Sequence, residues 1–194
     1  MLIGIFGTFG SGKTLLMAIL GYIVAKNPNY QVYANFEIKH PKVKTIEPED
    51  FLDINPKNKK AMVLIDEAYA WLDSRMSMAK VNRFLSYVVL QSRKRNMDIF
   101  YTAQLSGSVD LRLRELTDIF IICQKLPTEN GEQCFVYNVY EWKTLNKLSE
   151  HHFIIRWNQA EKYFNRFDTR EIISPVTELM MKQFKPKKKM KNND

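Results

Sequence analysis

An eight-residue loop near the start of the chain limits the possible folds more than any other feature. Residues 2–6 form a short apolar run typical of a strand buried on both faces, and residues 15–26 are typical of a helix. Between them lies a match to the pattern G-x-x-x-x-G-K-[ST], made by Gly7, Thr8, Phe9, Gly10, Ser11, Gly12, Lys13 and Thr14. A strand, a glycine-rich loop and a helix in this order predict an α/β domain with a phosphate site at the loop.

The residue types of this loop suit the binding of nucleotide phosphates. Glycine takes backbone angles that are closed to other residues, so successive N–H groups can turn inward around phosphate oxygens. The start of the helix, where Leu15 is the next residue, adds unpaired N–H donors and partial positive charge. Lys13 is expected to reach the β- and γ-phosphates, and the Thr14 hydroxyl to ligate Mg²⁺. Residues 7–15 are therefore the predicted nucleotide-binding residues.

Two carboxylates follow the next predicted buried strand, residues 61–65. Asp66 and Glu67 come directly after it, and ionised groups at the end of an apolar strand must be paired, solvated or bound to a cation. We expect Asp66 to hold Mg²⁺ together with Thr14, and Glu67 to polarise the attacking water as a general base. A solvent-facing acidic turn is the alternative explanation.

A glutamine stands immediately after the next predicted strand, residues 98–103. Open α/β sheets bind their ligands at the carboxyl ends of the strands, so Gln104 is expected to sense the γ-phosphate or to orient the water. Capping of the following turn explains it almost as well. The predicted short helix over residues 109–116 carries Arg112 and Arg114, which are either ordinary surface charge or the cation that reaches the γ-phosphate of a neighbouring subunit.

The remaining patterns describe the rest of a sheet. Residues 119–126 and 133–142 are predicted strands, and the Asn-Gly pair in the turn between them favours an antiparallel hairpin at one edge. Residues 30–38 are a further predicted strand, and residues 39–60 a polar loop with at most a short helix around residues 48–52. Helices are predicted over residues 176–184 and over 81–95. The second has apolar residues at helical spacing from 81 to 89 and ends in the basic residues 93–95. Between residues 143 and 175 the pattern is mixed.

Length and composition indicate a single domain. The chain has 194 residues, 45% of them hydrophobic, which is enough for a sizeable core over residues 1–184. Residues 185–194 contain five lysines and one aspartate, so this predicted disordered tail contributes +4 of the net charge of +8. Such a tail can bind DNA phosphates or simply aid solubility. No apolar run reaches eighteen residues, so no membrane span is expected.

The two cysteines, Cys123 and Cys134, do not have the spacing of a metal site. They both lie in the predicted hairpin, where they are either cross-strand neighbours or two separate buried thiols.

The motifs also discriminate among nucleotide-binding classes. A GTPase would need Asn-Lys-x-Asp, whereas residues 146–149 read Asn-Lys-Leu-Ser and lack the aspartate. A small-molecule kinase has little need of a glutamate that activates water, because its acceptor hydroxyl comes from the substrate. The combination of Asp66, Glu67 and Gln104 instead favours ATP hydrolysis by a motor or a switch.

At these positions the chain resembles the FtsK/HerA ATPases. The matching segments are residues 7–14, 64–67, 91–96, 101–104 and 109–114. Within that superfamily the chain is most similar to viral genome-packaging ATPases, including those of archaeal turreted icosahedral viruses, and to the ATPase part of zonula occludens toxin-like phage proteins. By motif, the resemblance covers roughly residues 1–125.

The resemblance implies a RecA-like core, with a mostly parallel sheet flanked by helices, that assembles into a hexameric or pentameric ring. It implies double-stranded DNA as a partner, driven through the ring into a preformed capsid by ATP hydrolysis, with a capsid vertex or portal protein as a further partner. The implied location is the host cytoplasm, with the virion as a second one. A nucleotide-switched assembly protein that does not move DNA is the alternative.

The resemblance also implies an arginine that acts on the site of a neighbouring subunit. Arg93 and Arg95 match the basic helix end that precedes the Gln104 strand, whereas Arg112 and Arg114 match the later arginines of the family. All four stay candidates at this point, since the charges at 93–95 also suit the C-terminal dipole of a helix.

Overall fold

The computed structural model describes residues 1–47, 50–56, 58–68, 94, 96–104, 111–141 and 147–167. These residues form one eight-stranded sheet. Its strands are β1 (Leu2–Phe6), β2 (Tyr30–Ala34), β3 (Val43–Thr45), β4 (Lys60–Ile65), β5 (Met97–Ala103), β6 (Ile119–Pro127), β7 (Gln133–Glu141) and β8 (Lys147–Arg156). The described part of the chain also contains helices α1 (Lys13–Val24), α2 (Leu111–Leu116) and α3 (Trp157–Phe164), and a 3₁₀ turn at Asp50–Asp53.

The spatial order of the strands is β3-β2-β4-β5-β1-β6-β7-β8. The first six are parallel to one another, while β7 is antiparallel to β6 and β8 is antiparallel to β7. Every residue of β1 is buried, as expected for a central strand of a parallel sheet that is covered on both faces. The sheet therefore presents the carboxyl ends of β1, β4 and β5 side by side at one edge.

The core lies on both faces of this sheet. One cluster joins α1 and α3 to the inner strands, and it includes Leu16, Met17, Phe36 and Tyr137. The other, on the opposite face, includes Leu2, Phe6, Phe51 and Tyr101. Helix α1 buries Leu15, Leu16, Met17, Ala18, Ile19 and Gly21, so its first two turns are largely enclosed and the loop that precedes it is held at a fixed place.

The predicted α/β fold class, with its mostly parallel sheet and antiparallel edge, is confirmed. Two local predictions were wrong, and one stretch had no assignment. Strand β2 ends at Ala34 rather than at residue 38, and β3 lies inside the segment predicted as a polar loop. Strand β8 and helix α3 occupy a stretch whose mixed pattern gave no assignment.

Both cysteines are buried free thiols. In the β6–β7 register Cys123 faces Tyr137 and Cys134 faces Leu126, so the two are not cross-strand neighbours. Burial raises the pKa of the Cys123 thiol to about 12, which keeps it protonated.

The predicted helix over 176–184, the basic tail and, apart from residue 94, the predicted helix over 81–95 lie outside the described residues. The boundary at residue 184 therefore stays a prediction. No helix of the described ranges is both long enough and apolar enough to span a bilayer.

Burial within α1 predicts two opposite mutational outcomes. Leu16 is 1% exposed and Ile23 is 50% exposed on the same helix. Leu16→Ala should lower the free energy of unfolding by about 2–5 kcal/mol, because it removes a packed side chain and leaves a cavity. Ile23→Ala should change it by no more than about 0.5 kcal/mol. Urea unfolding followed by circular dichroism measures both, and equal losses would show that α1 does not pack on the sheet as described.

Candidate nucleotide-binding site

The glycine-rich loop connects the end of β1 to the start of α1, at the middle of the sheet. Gly12 has a φ of 92°, in the left-handed region that favours glycine. It precedes the helix without a side-chain cap. At Gly7 an added Cβ would lie 2.5 Å from the Cys123 carbonyl oxygen, so the loop passes too close to β6 for a side chain there. The Ser11 N–H donates to the Thr8 carbonyl at 3.3 Å and closes the loop on itself.

Lys13 is folded back over the loop. Its Nζ donates to the carbonyl oxygens of Gly7 at 2.8 Å and of Thr8 at 3.0 Å. Burial lowers the pKa of Lys13, and the charges of Asp66 and Glu67 act in the opposite direction. The ammonium group thus lies in a partly desolvated place where an anionic partner would favour its charged form.

Thr14, Asp66 and Thr102 form one hydrogen-bonded group. Thr14 Oγ1 donates to Asp66 Oδ2 at 2.8 Å, and Thr102 Oγ1 donates to Asp66 Oδ1. Asp66 is only 5% exposed, and burial raises its pKa while the two hydroxyl donors oppose that shift. The register explains the contact to β5: Ile65 pairs with Tyr101, so the residues that follow them, Asp66 and Thr102, lie beside each other.

The Glu67 backbone is also held from β5. Its N–H donates to Thr102 Oγ1 at 2.8 Å, and its φ of 50° lies in the left-handed region, which is uncommon for a residue with a Cβ. Glu67 is thus placed by a tight turn immediately after Asp66.

Asn35, which follows β2, was missed by the sequence analysis. Its side-chain amide donates from Nδ2 to the Asp66 carbonyl at 2.9 Å, and its Oδ1 accepts from the Asp66 N–H at 2.7 Å. Asn35 is 8% exposed. A polar residue immediately after a buried strand is the only signal that could have marked it, and such residues are common in turns.

Gln104 lies at the same edge. Together with Gly7, Thr8 and the β6 residues 122–126 it lines a cavity of about 450 Å³. Phe6 pairs with Ala103, which brings the ends of β1 and β5 together. Phe9, also predicted to bind nucleotide, has its side chain 79% exposed at the tip of the loop.

The candidate arginines are only partly covered by the structure. Arg93, Arg95 and the side chain of Arg112 lie outside the described residues. Arg114 lies on α2 near Tyr101. Burial raises the pKa of Tyr101 to about 12, and the charge of Arg114 partly opposes this shift. The Nε of Arg114 is buried without a hydrogen-bond partner among the described residues. The choice among the four arginines stays a prediction.

Two aromatic residues of β7, Tyr137 and Phe135, lie against the end of the loop at Gly12. Tyr137, fully buried, donates from its hydroxyl to the Gly12 carbonyl at 3.0 Å. That carbonyl also accepts the first hydrogen bond of α1, from the Leu16 N–H at 3.0 Å. An added Cβ on Gly12 would lie 2.6 Å from the Phe135 ring. The antiparallel part of the sheet therefore fixes the point where the loop becomes a helix, which no motif in β7 indicated.

The residues present fit a nucleotide with Mg²⁺. Ser11 Oγ is buried and has no hydrogen-bond partner among the described residues, so the loop holds an unused hydroxyl beside its backbone. The Thr14 hydroxyl and the Asp66 carboxylate meet at 2.8 Å, and both are oxygen ligands of the kind that Mg²⁺ prefers. Thr14 and Asp66 are the residues that would hold the metal.

The strand order, the loop and the position of Asp66 define the RecA-like P-loop NTPase fold. Comparison of the sequence with protein-family models and with curated proteins gives no match.

Solved structures with this fold are similar. The N-terminal domain of zonular occludens toxin from Neisseria meningitidis matches with a TM-score of 0.57 at 19% identity, over 86% of this chain and 98% of that one. The genome packaging NTPase B204 from Sulfolobus turreted icosahedral virus 2, in complex with ATP-gammaS, matches with a TM-score of 0.55 at 11% identity, over 80% and 96%. Flagellar accessory protein FlaH from Methanocaldococcus jannaschii matches with a TM-score of 0.56 at 13% identity, over 80% and 84%. The predicted relationship to P-loop ATPases of these types is confirmed at the level of the fold.

The contact between Tyr137 and Gly12 predicts an effect on nucleotide affinity. Tyr137→Phe should raise the Kd for ATP about two- to tenfold, because losing one hydrogen bond worth about 0.5–1.5 kcal/mol loosens the carbonyl that precedes Lys13. Titration with a fluorescent ATP analogue measures the change. The matched control is Tyr101→Phe, since the Tyr101 hydroxyl is likewise buried but bonds to Thr117 at 2.7 Å. If both variants shift the Kd equally, Tyr137 has no specific role in the loop.

Burial of Asp66 predicts a pH-dependent cost in stability. Its pKa is raised above the ordinary value of 3.8, so the native state binds this proton more tightly than the unfolded chain does, and stability falls as pH rises through the native pKa. In a metal-free buffer, Asp66→Asn should therefore have a higher Tm than the wild type at pH 7.5.

The difference in Tm should shrink as pH falls through the native pKa of Asp66, because the wild-type carboxyl then becomes protonated and neutral. Differential scanning fluorimetry across pH measures it, with Glu132→Gln in the exposed β6–β7 turn as the control for loss of a carboxylate. A lower Tm for Asp66→Asn at pH 7.5 would mean that the hydrogen bonds from Thr14 and Thr102 outweigh the cost of burial.

Proposed function

We propose that this chain is an Mg²⁺-dependent ATPase that translocates double-stranded DNA and packages a viral genome into a preformed capsid. The observation that carries the proposal is the hydrogen bond of 2.8 Å between Thr14 Oγ1 and Asp66 Oδ2, with Glu67 next in the chain. It joins the phosphate loop to the two carboxylates at the edge of the sheet, which is the arrangement that nucleotide hydrolysis needs.

Each residue of the site has a defined part in this proposal. Lys13 exchanges its bonds to the loop carbonyls for bonds to phosphate oxygens, whose negative charge favours the ammonium form that burial disfavours. Thr14 and Asp66 would hold Mg²⁺, which would supply positive charge beside the phosphates. Glu67 takes the proton of the attacking water, and Gln104 orients that water from the neighbouring strand.

Two features support DNA as the partner. The chain carries a net charge of +8, and phosphate contacts made by lysine and arginine bind DNA of any sequence with a strong dependence on salt. The fold is also that of the genome packaging NTPase B204, which the chain covers over 96% of its length. In the proposal the chain acts as a pentameric or hexameric ring docked at a capsid vertex or portal protein. One of Arg93, Arg95, Arg112 and Arg114 then reaches the site of the next subunit.

The experiment that tests the proposal is the steady-state ATPase rate with Mg²⁺, with and without long double-stranded DNA, at low and moderate salt. The wild type should hydrolyse ATP, and DNA should raise the rate less as salt increases. Glu67→Gln should lower kcat by about 10²–10⁴-fold while ATP binding is kept, because the general base is lost. Lys13→Ala should lose binding or turnover, whereas Lys26→Ala, at an exposed lysine just after α1, should not.

The outcomes separate the parts of the proposal. Full turnover by Lys13→Ala would remove the assignment of the site. Normal turnover by Glu67→Gln would place the base elsewhere. Hydrolysis that is indifferent to DNA would favour a nucleotide-switched assembly protein over a translocating motor.

A further inference from the structure

We infer that Asn35 is a positioning residue for hydrolysis: its side-chain amide clamps the Asp66 backbone and thereby sets the turn that presents Glu67. The inference rests on the proposed ATPase function and adds to it a residue that belongs to none of the sequence motifs. None of the hydrogen bonds described above joins Asn35 to the phosphate loop or to a side chain of the proposed site.

The clamp is a matched pair of hydrogen bonds. Asn35 Nδ2 donates to the Asp66 carbonyl at 2.9 Å, and the Asp66 N–H donates to Asn35 Oδ1 at 2.7 Å. A third bond, from the Asn35 N–H to the Leu64 carbonyl at 3.1 Å, fixes the Asn35 backbone on β4. Both the donor and the acceptor of Asp66 are thus satisfied by one buried side chain, beyond the point where β2 and β4 stop pairing.

The conformation of the next residue explains why this clamp matters. Glu67 has φ of 50°, and a residue with a Cβ in that region persists only where its surroundings hold it. Two groups hold the turn from opposite sides: Asn35 from the β2 side, through the Asp66 backbone, and Thr102 from the β5 side, through the Glu67 N–H at 2.8 Å. Without Asn35, Asp66 still has hydrogen bonds to its carboxylate, but its backbone loses both partners.

This geometry separates Asn35 from the residues that bind nucleotide. Asn35 makes none of the hydrogen bonds described for Lys13, Thr14 or the loop, so changing it should affect the affinity for ATP less than it affects kcat. What changes is the direction in which Glu67 leaves the turn, and misplacement of a catalytic group by about 1 Å can cost on the order of 10²-fold in rate. A residue needed only for folding would instead lower stability and affinity together.

The experiment uses the full chain and two variants. Asn35→Leu keeps the size of the side chain and removes both hydrogen bonds, and Asn35→Ser keeps a hydroxyl that can satisfy one of the two Asp66 groups. We measure kcat and KM for ATP, the Kd of a fluorescent ATP analogue, and the Tm. The control is Tyr33→Phe, which removes a partly buried hydrogen bond of 2.7 Å to Gln31 on the same strand, away from Asp66.

The expected result is a kcat that falls at least about tenfold in Asn35→Leu and less in Asn35→Ser, with the Kd within about twofold of the wild type. Tyr33→Phe should lower the Tm without changing kcat. An unchanged kcat in a folded Asn35→Leu, while the wild type hydrolyses ATP, would overturn this inference and leave the ATPase proposal standing.

Parallel losses of kcat, affinity and Tm, or failure of both variants to fold, would assign Asn35 to general stability and also overturn the inference. A wild type that binds ATP but does not hydrolyse it would overturn the proposed function, and this inference with it.

Discussion

The arrangement of the site depends on the bond between Thr14 and Asp66. It links the first turn of α1, which follows β1, to the end of β4, although β5 lies between β1 and β4 in the sheet. The link is possible because these parallel strands end at one edge and α1 begins at that edge before it packs on one face of the sheet. Once Thr14 reaches Asp66, the loop has one end fixed by β1 and the other by the helix. In the proposed function, a phosphate site and a metal site would share the Thr14 hydroxyl, which would tie nucleotide binding to the carboxylate that precedes Glu67.

The bond between Thr14 and Asp66 lies in a buried region, where a charged group is less stable than it is in water. Burial raises the pKa of Asp66 and lowers that of Lys13, so each group is less favourable in its charged form than it would be in water. The hydroxyls of Thr14 and Thr102 compensate the burial of Asp66 only in part. In the proposed function, the remaining cost of burying the two charges would be relieved when a cation binds at Asp66 and a polyphosphate binds at Lys13. Part of the stability that the free protein gives up would then appear as affinity for these ligands.

Much of this could be read from the sequence, because the glycine-rich loop and the buried strands have strong local signals. The pattern from Gly7 to Thr14 and the position of Asp66 after an apolar run predicted the sheet edge on which they meet. The edges of the sheet were harder. The three residues of β3 are too few to show alternation, and β8, with Phe153 and Ile154 both exposed, has no clean apolar face. The contacts of Asn35 and Tyr137 could not be predicted, because each depends on register between strands that are distant in the chain.

Those two contacts show how the rest of the fold serves the motifs. Tyr137 lies on β7, in the antiparallel extension, and fixes the Gly12 carbonyl where the loop becomes a helix. Asn35 follows β2, which lies toward the opposite end of the strand order from β7. It fixes the Asp66 backbone where β4 becomes a turn. Each contact lies at a backbone position with positive φ. Tyr137 bonds Gly12, which itself has a positive φ, and Asn35 bonds Asp66, whose neighbour Glu67 has a positive φ. Such conformations are not held by local sequence, so they require partners from elsewhere in the fold. The sheet on both sides of β1 and β4 is thus part of the site, because it keeps two unfavourable backbone turns in place.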